Sequence, residues 1–228
     1  MTFVVTTERL LNRIAAPRLP AAPVDYEQRY HDQFADVLRL YFNRLDSLLA
    51  QLNASATGTG VLLPHISASS DADQYATAND TPTIIAFNTL ETDEGFTLNM
   101  SGTATAQYAG VYKIAYGLQV ANTANDIHFA TVWLRINGVD VPLSGVKFSL
   151  PARKNPAQPF ELLAFSEIVF SVNAGDNIGL WWASDQAATS GGGLGLYLKA
   201  EPAQALPYPH PSVPSAIGSI TFVSALSP

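Results

Sequence analysis

Two hydrophobic periods divide the chain. Between Asp25 and Asn53, Phe34, Leu38, Tyr41, Leu45, Leu48 and Leu52 recur at spacings of 4, 3, 4, 3 and 4, an a/d stripe over nearly three heptads. Val37, Phe42 and Leu49 flank the stripe and widen it. A single narrow dimer contact would leave that surface in water; a three-helix bundle, or packing on another surface, buries more of it. Pro23 stops any earlier helix, Asp25 is placed to cap, and Gln28, three residues on, is the reciprocal capping-box partner. At about 1.5 Å per residue the helix is a rod of roughly 40 Å, too amphipathic to stand alone in water.

From Thr83 onward the period drops from 3.6 to 2, and turn residues arrive at strand-sized intervals. The pattern predicts strands at 83–87, 96–100, 103–107, 110–121, 127–137, 139–143, 146–149, 160–172, 177–183, 193–200 and 216–224. Tyr112, Ile114, Tyr116 and Leu118 fall on one strand face. Asn137-Gly138 is a type I′ hairpin signal into Val139, and Asn173-Ala174-Gly175-Asp176 is a second turn. Many short strands with no helix between them imply a sandwich or barrel, so the expected fold is mainly β behind one long helix.

Residues 1–24 read as an arm. Leu10, Leu11 and Ile14 make an apolar face among Arg9, Arg13 and Arg18, and Pro17, Pro20 and Pro23 forbid a continuous helix. Such a segment cannot bury itself, and a docking peptide for a larger assembly is preferred over a frayed terminus. After the helix, residues 54–82 read as a linker: small residues to Gly60, a short apolar run Val61-Leu62-Leu63, then an irregular Ser-, Ala-, Asp- and Thr-rich connector over 67–83. The β head is expected over 83–225.

Composition narrows the function classes. In 228 residues, 47% hydrophobic, there is ample material for a core, and with no cysteine there is neither a disulfide framework nor a thiolate metal site or nucleophile. Six of the twelve basic and six of the nineteen acidic residues lie up to Ala54, leaving six basic against thirteen acidic beyond it. That acidic part would repel a phosphate backbone, so no nucleic-acid partner is expected. No segment approaches the ~20 apolar residues of a membrane span, so no membrane partner is expected either. Met1 to Thr7 has neither a basic n-region nor an apolar h-region, so no signal peptide is expected.

Residue constellations that could carry chemistry are sparse. His31, His65, His128 and His210 are isolated in sequence, so no metal is expected. The six acidic residues between Asp71 and Glu94 have no calcium-loop spacing and read as a solvated loop. Ser166-Glu167 and Ser184-Asp185 lack a neighbouring histidine or a nucleophile elbow. Glu91, Asp93, Glu94, Glu161 and Glu167 are the carboxylates available to a glycosidase, but at pI 4.9 such residues are mostly solubilising. Gly191-Gly192-Gly193 lies between strands and is read as a loop tip, not a phosphate cradle. Adjacent Trp181 and Trp182 must point to opposite sheet faces; with Trp133 they invite a carbohydrate-binding reading, against which packing in the core or at a subunit contact is preferred. No catalytic residue, cofactor or metal is assigned, and no enzymatic activity is expected.

Two resemblances sharpen this. Gly110-Val111-Tyr112-Lys113-Ile114, then Ala174-Gly175-Asp176 before an apolar strand, with Phe87 and Phe96 near the front of the domain, resemble the C1q/TNF-type jelly roll over roughly residues 81–225. That resemblance implies a compact trimer, often behind a trimeric stalk. Tyr26, Tyr30 and the run Val37-Leu38-Arg39-Leu40-Tyr41-Phe42-Asn43-Arg44-Leu45-Asp46 resemble an N-terminal segment of virion structural proteins of marine tailed bacteriophages, departing from its pattern near Asn43-Arg44. Together they imply a non-enzymatic phage virion protein. It would be a homotrimeric appendage, a capsid decoration or tail-associated, joined to other virion proteins through arm and helix. The alternative is a tail-fibre or spike tip that binds, or less plausibly hydrolyses, host surface glycans.

Overall fold

The computed structural model describes residues 17–20, 28–56, 63–99 and 101–226, without the side chains of 50–56. The chain divides into two compact units, Met1–Leu62 and Leu63–Pro228.

In the first unit a single helix, α1, spans Gln28–Ala56. Tyr30, Phe34, Val37, Leu38, Tyr41, Leu45 and Leu48 are its half-buried positions, and nearly all residues between them are exposed. The rings of Tyr30 and Phe34 stack one turn apart, with centroids 6.1 Å apart, and Arg39 reaches back to Asp36 at 3.1 Å. The helix runs three residues past the expected end at Asn53, because Ala54-Ser55-Ala56 contains no breaker and the first glycine is Gly58. The capping residue Asp25 lies outside the described residues.

The second unit is a sandwich of two antiparallel sheets. Its strands are β1 (His65–Ser70), β2 (Gln74–Tyr75), β3 (Thr83–Ile84), β4 (Thr89–Glu94), β5 (Phe96–Leu98), β6 (Ala104–Ala106) and β7 (Gly110–Asn122). They continue as β8 (His128–Ile136), β9 (Val139–Asp140), β10 (Val146–Leu150), β11 (Phe160–Val172), β12 (Asn177–Ser184), β13 (Leu196–Leu198) and β14 (Ala216–Ser224). The first sheet is centred on β7: β11 pairs along its whole length on one side, while β14 and β13 share the other. Beyond β14 lie β1 and then β4, and beyond β13 lies β2. The second sheet runs β10-β8-β12-β6-β5, with β3 on β12 and β9 on β8. The chain therefore crosses between sheets at β2 to β3, β3 to β4, β4 to β5, β6 to β7, β7 to β8, β10 to β11, β11 to β12 and β12 to β13, and its long strands follow jelly-roll connectivity.

Alternation sets the core. Tyr112, Ile114, Tyr116, Leu118 and Val120 of β7 all point between the sheets, facing Val132 and Leu134 of β8 and Ile178, Leu180 and Trp182 of β12. Tyr112 is edge-on to both Phe96 and Phe222, at centroid distances of 5.3 and 5.5 Å. Each such side chain contributes about 1.5–3 kcal/mol by leaving water. The hairpin signal is realised: Asn137 and Gly138 have φ of 53° and 79° between the paired residues Ile136 and Val139.

The linker expectation over 54–82 needs correction. His65–Ser70 is an internal strand, paired to β14 on one side and β4 on the other. Only Ile66 and the small Ala68 and Ser70 point inward, so the hydrophobic signal was too weak to read as a strand. Likewise β4, sequence TLETDE, holds three of the acidic residues expected in a solvated loop. It is an edge strand, exposed over most of its length, where acidic side chains discourage pairing with other chains.

Candidate functional site

Two surfaces of the head and one helix face hold side chains that the fold alone does not require. On α1, the predicted seam residues Phe34, Leu38, Tyr41, Leu45 and Leu48 share one face, as their spacing demands. Leu52 is in the helix, with its side chain outside those described. Of the arm, Arg9, Leu10, Leu11, Arg13 and Ile14 lie outside the described residues, while Arg18 is exposed in the non-helical stretch 17–20.

The first surface is the outward face of the first sheet. In β11 both parities are apolar: Leu162, Ala164, Ile168, Phe170 and Val172 face the core, while Leu163, Phe165 and Val169 face away and are 58–61% exposed. Across the sheet the register continues this patch. Phe165 and Ile217 both pair with Gly117, Leu163 pairs with Gln119, and Val169 pairs with Lys113. Ala115 and Gly117 keep the middle low, and Lys113 meets Glu167 at 3.4 Å on the same side. A strand coated with hydrophobes on both sides is expected only where both faces are covered. None of the site residues expected from sequence lies on this face, although the double parity of β11 was the available signal.

The second surface is the outward face of the second sheet. Trp133 of β8 and Trp181 of β12 are directly opposite one another in the ladder, whereas Trp182 is fully buried. The opposite-face expectation for the two adjacent tryptophans holds, and core packing accounts for Trp182 alone. Arg135 lies with its guanidinium 4.2 Å from the Trp181 ring centre and 5.6 Å from that of Trp133. Gly179, paired with Arg135, leaves room for the Trp181 indole: a Cβ there would come within 3.4 Å of its Nε1. Asp140, across the hairpin, accepts a 2.6 Å hydrogen bond from Trp133 Nε1 and another from Arg135 Nε, both on Oδ1. Those bonds, Arg135's first and then Trp133's, hold the Asp140 carboxyl below the usual carboxylate range.

The residues weighed for catalysis are engaged separately. Glu91 accepts from Ser67 Oγ at 3.0 Å, Glu161 is bound by Lys199, and Glu167 faces Lys113. His128 Nδ1 lies 3.3 Å from Asp185, but the neighbouring Ser184 is buried on the other side of the sheet. Among the described residues no group of three or more His, Asp or Glu gathers as a metal ion would require, and no helix is long and apolar enough to cross a membrane. At the edge of the first sheet, Lys199 is bound by Glu161 and by Glu201 at 2.7 Å. Although burial opposes it, this pairing pushes the Lys199 pKa up to about 12.

No protein-family model matches the chain, and no curated protein matches it in sequence. Among solved structures it is similar to the TNF protein Eiger from S. frugiperda, at 13% identity and a TM-score of 0.43, covering 73% of this chain and 96% of that one. It is also similar to the globular domain of zebrafish complement 1qA, at 13% identity and a TM-score of 0.40, covering 72% and 99%.

Proposed function

We propose that this chain is a non-enzymatic structural protein that works as a homotrimer, a surface appendage of a tailed-phage virion held to the particle by its N-terminal arm and helix. The observation that carries the trimer is the exposed apolar patch of Leu163, Phe165, Val169 and Ile217 around the flat Gly117. A second copy seated on that patch would remove it from water. The helix stripe Phe34, Leu38, Tyr41, Leu45 and Leu48 has the width of a bundle seam and supports the same assembly. The virion role rests on the resemblance of the Val37–Asp46 run to phage structural proteins.

Three weak arms joined in one assembly act together. Once the first docks, the other two bind at high effective concentration, so a modest contact by Leu10, Leu11 and Ile14 with Arg9, Arg13 and Arg18 is multiplied. The test is deletion of residues 2–20 in the producing phage. The reading predicts a folded protein missing from purified particles, scored by labelled imaging of the virion. Incorporation at the wild-type level contradicts it.

A further inference from the structure

The aromatic face of the second sheet has no part in the trimer reading, and its chemistry is that of a receptor. We infer that Trp133, with Arg135, Asp140 and Trp181, forms a binding site for a neutral hexopyranose unit of a glycan.

Four observations carry this. First, two indoles stand side by side on the solvent side of a sheet whose core already has its own tryptophan, Trp182. Second, the cluster is held in place. Asp140 Oδ1 ties Trp133 Nε1 and Arg135 Nε together, and the guanidinium lies closer to Trp181 than to Trp133. The guanidinium thus lies over the Trp133 ring less than over the Trp181 ring, and little rotamer freedom is left to lose on binding. Third, hydrogen-bonding capacity is left over beside the Trp133 ring. The Asp140 side chain is 61% exposed and engaged through Oδ1, leaving Oδ2 to accept, and among the described residues no protein group bonds the terminal nitrogens of Arg135. A pyranose presents an apolar C–H face for an indole and a rim of hydroxyls that both donate and accept, which this set matches.

Fourth, other ligand classes fit less well. The Arg135 charge is already met by Asp140, and beyond Ala54 acidic residues outnumber basic ones thirteen to six, so polyanionic glycans and nucleic acids are repelled. A peptide adding to the sheet needs a free strand edge, but β8 is paired by β10 and β12 on its two sides. The inference concerns the head surface alone and does not depend on the trimer or on the particle.

The experiment uses the full chain labelled with 5-fluorotryptophan, whose three tryptophans give three fluorine resonances, assigned by single Trp→Phe variants. It is titrated with methyl β-galactoside, methyl β-glucoside and lactose, and in parallel with sialyllactose and the open-chain polyol mannitol. A saturable shift of the Trp133 and Trp181 signals with at least one neutral sugar, while Trp182 stays still, is the expected result. Arg135→Lys and Trp133→Ala should each weaken that sugar at least tenfold, with an unmoved Trp182 signal certifying the fold. The inference is overturned if the signals stay fixed with every neutral sugar, if mannitol shifts them equally, if only sialyllactose acts, or if both variants bind as wild type.

Discussion

Phe165 of β11 and Ile217 of β14 pair with one and the same residue, Gly117, from its two sides. The pairing sets two exposed hydrophobes across a row with no side chain between them, so a flat partner surface can lie against all three strands. Nothing within this protomer needs the row to be flat. A Cβ at 117 would meet only Leu163 Cδ1, at an ordinary 3.6 Å.

Gly117→Ala should therefore fold normally, and Gly117→Arg should also fold while placing a charge in the proposed contact. The expected outcome is an unchanged circular-dichroism melt of the dissociated protein with at least a tenfold rise in the concentration at which the trimer falls apart, a loss of about 1.4 kcal/mol or more. Sedimentation equilibrium checks it. Unchanged association by Gly117→Arg and by Phe165→Glu would remove this face from the assembly.

On the helix, Leu45→Asp puts a carboxylate in the middle of the stripe. A buried unpaired charge costs several kcal/mol per copy, so light scattering should report a lower mass at micromolar protein. A mass equal to wild type at every dilution would mean that the stripe faces something other than its own copies.

These two contacts were legible in the sequence to different degrees. The helix stripe was readable because Phe34, Leu38, Tyr41, Leu45 and Leu48 keep a period that no other element imitates. The jelly-roll strands β7, β8, β11 and β12 were readable because their inward side chains are large. Strand β1 was not, since Ile66, Ala68 and Ser70 offer one large apolar group in three inward positions. The head face was concealed by the same alternation that revealed the strand: once Leu162, Ile168 and Phe170 explain β11 as buried, Leu163, Phe165 and Val169 look like surplus. The Trp133–Asp140 link joins the two strands of a hairpin through side chains, and strand period carries no information about which indole finds which carboxylate.

The adjacent tryptophans offer a stability test. Trp182 is fully buried, whereas Trp181 is half-buried on the outward face of the sheet. Trp182→Ala should cost about 3–5 kcal/mol in urea unfolding, whereas Trp181→Ala, losing a half-buried indole and its cation–π contact, should cost about half as much or less. Equal costs would contradict the assignment of faces.

Stability should fall through the alkaline range. Burial pushes the Tyr112 hydroxyl, which donates to the Tyr108 carbonyl at 3.0 Å, up to about 12, and its carboxylate partners raise Lys199 to a similar value. Both groups keep their protons in the folded protein after the unfolded chain has lost them. Their contribution is complete below about pH 10 and disappears as the pH rises through 12. Urea midpoints at pH 9, 10.5 and 11.5 should decline in that order, and the decline should be shallower in Tyr112→Phe and in Lys199→Met. At the acid end, the hydrogen bond and charge of Lys199 lower the Glu201 pKa, so its contribution should fade as the pH drops below the ordinary glutamate range. A flat alkaline profile would contradict the pairing.

The trimer itself is most directly tested by the mass of the unmodified chain in sedimentation velocity across a hundredfold range of concentration. The account predicts one species of three times the 24.4 kDa chain mass, dissociating only on dilution. A particle of 24.4 kDa at every concentration would contradict it.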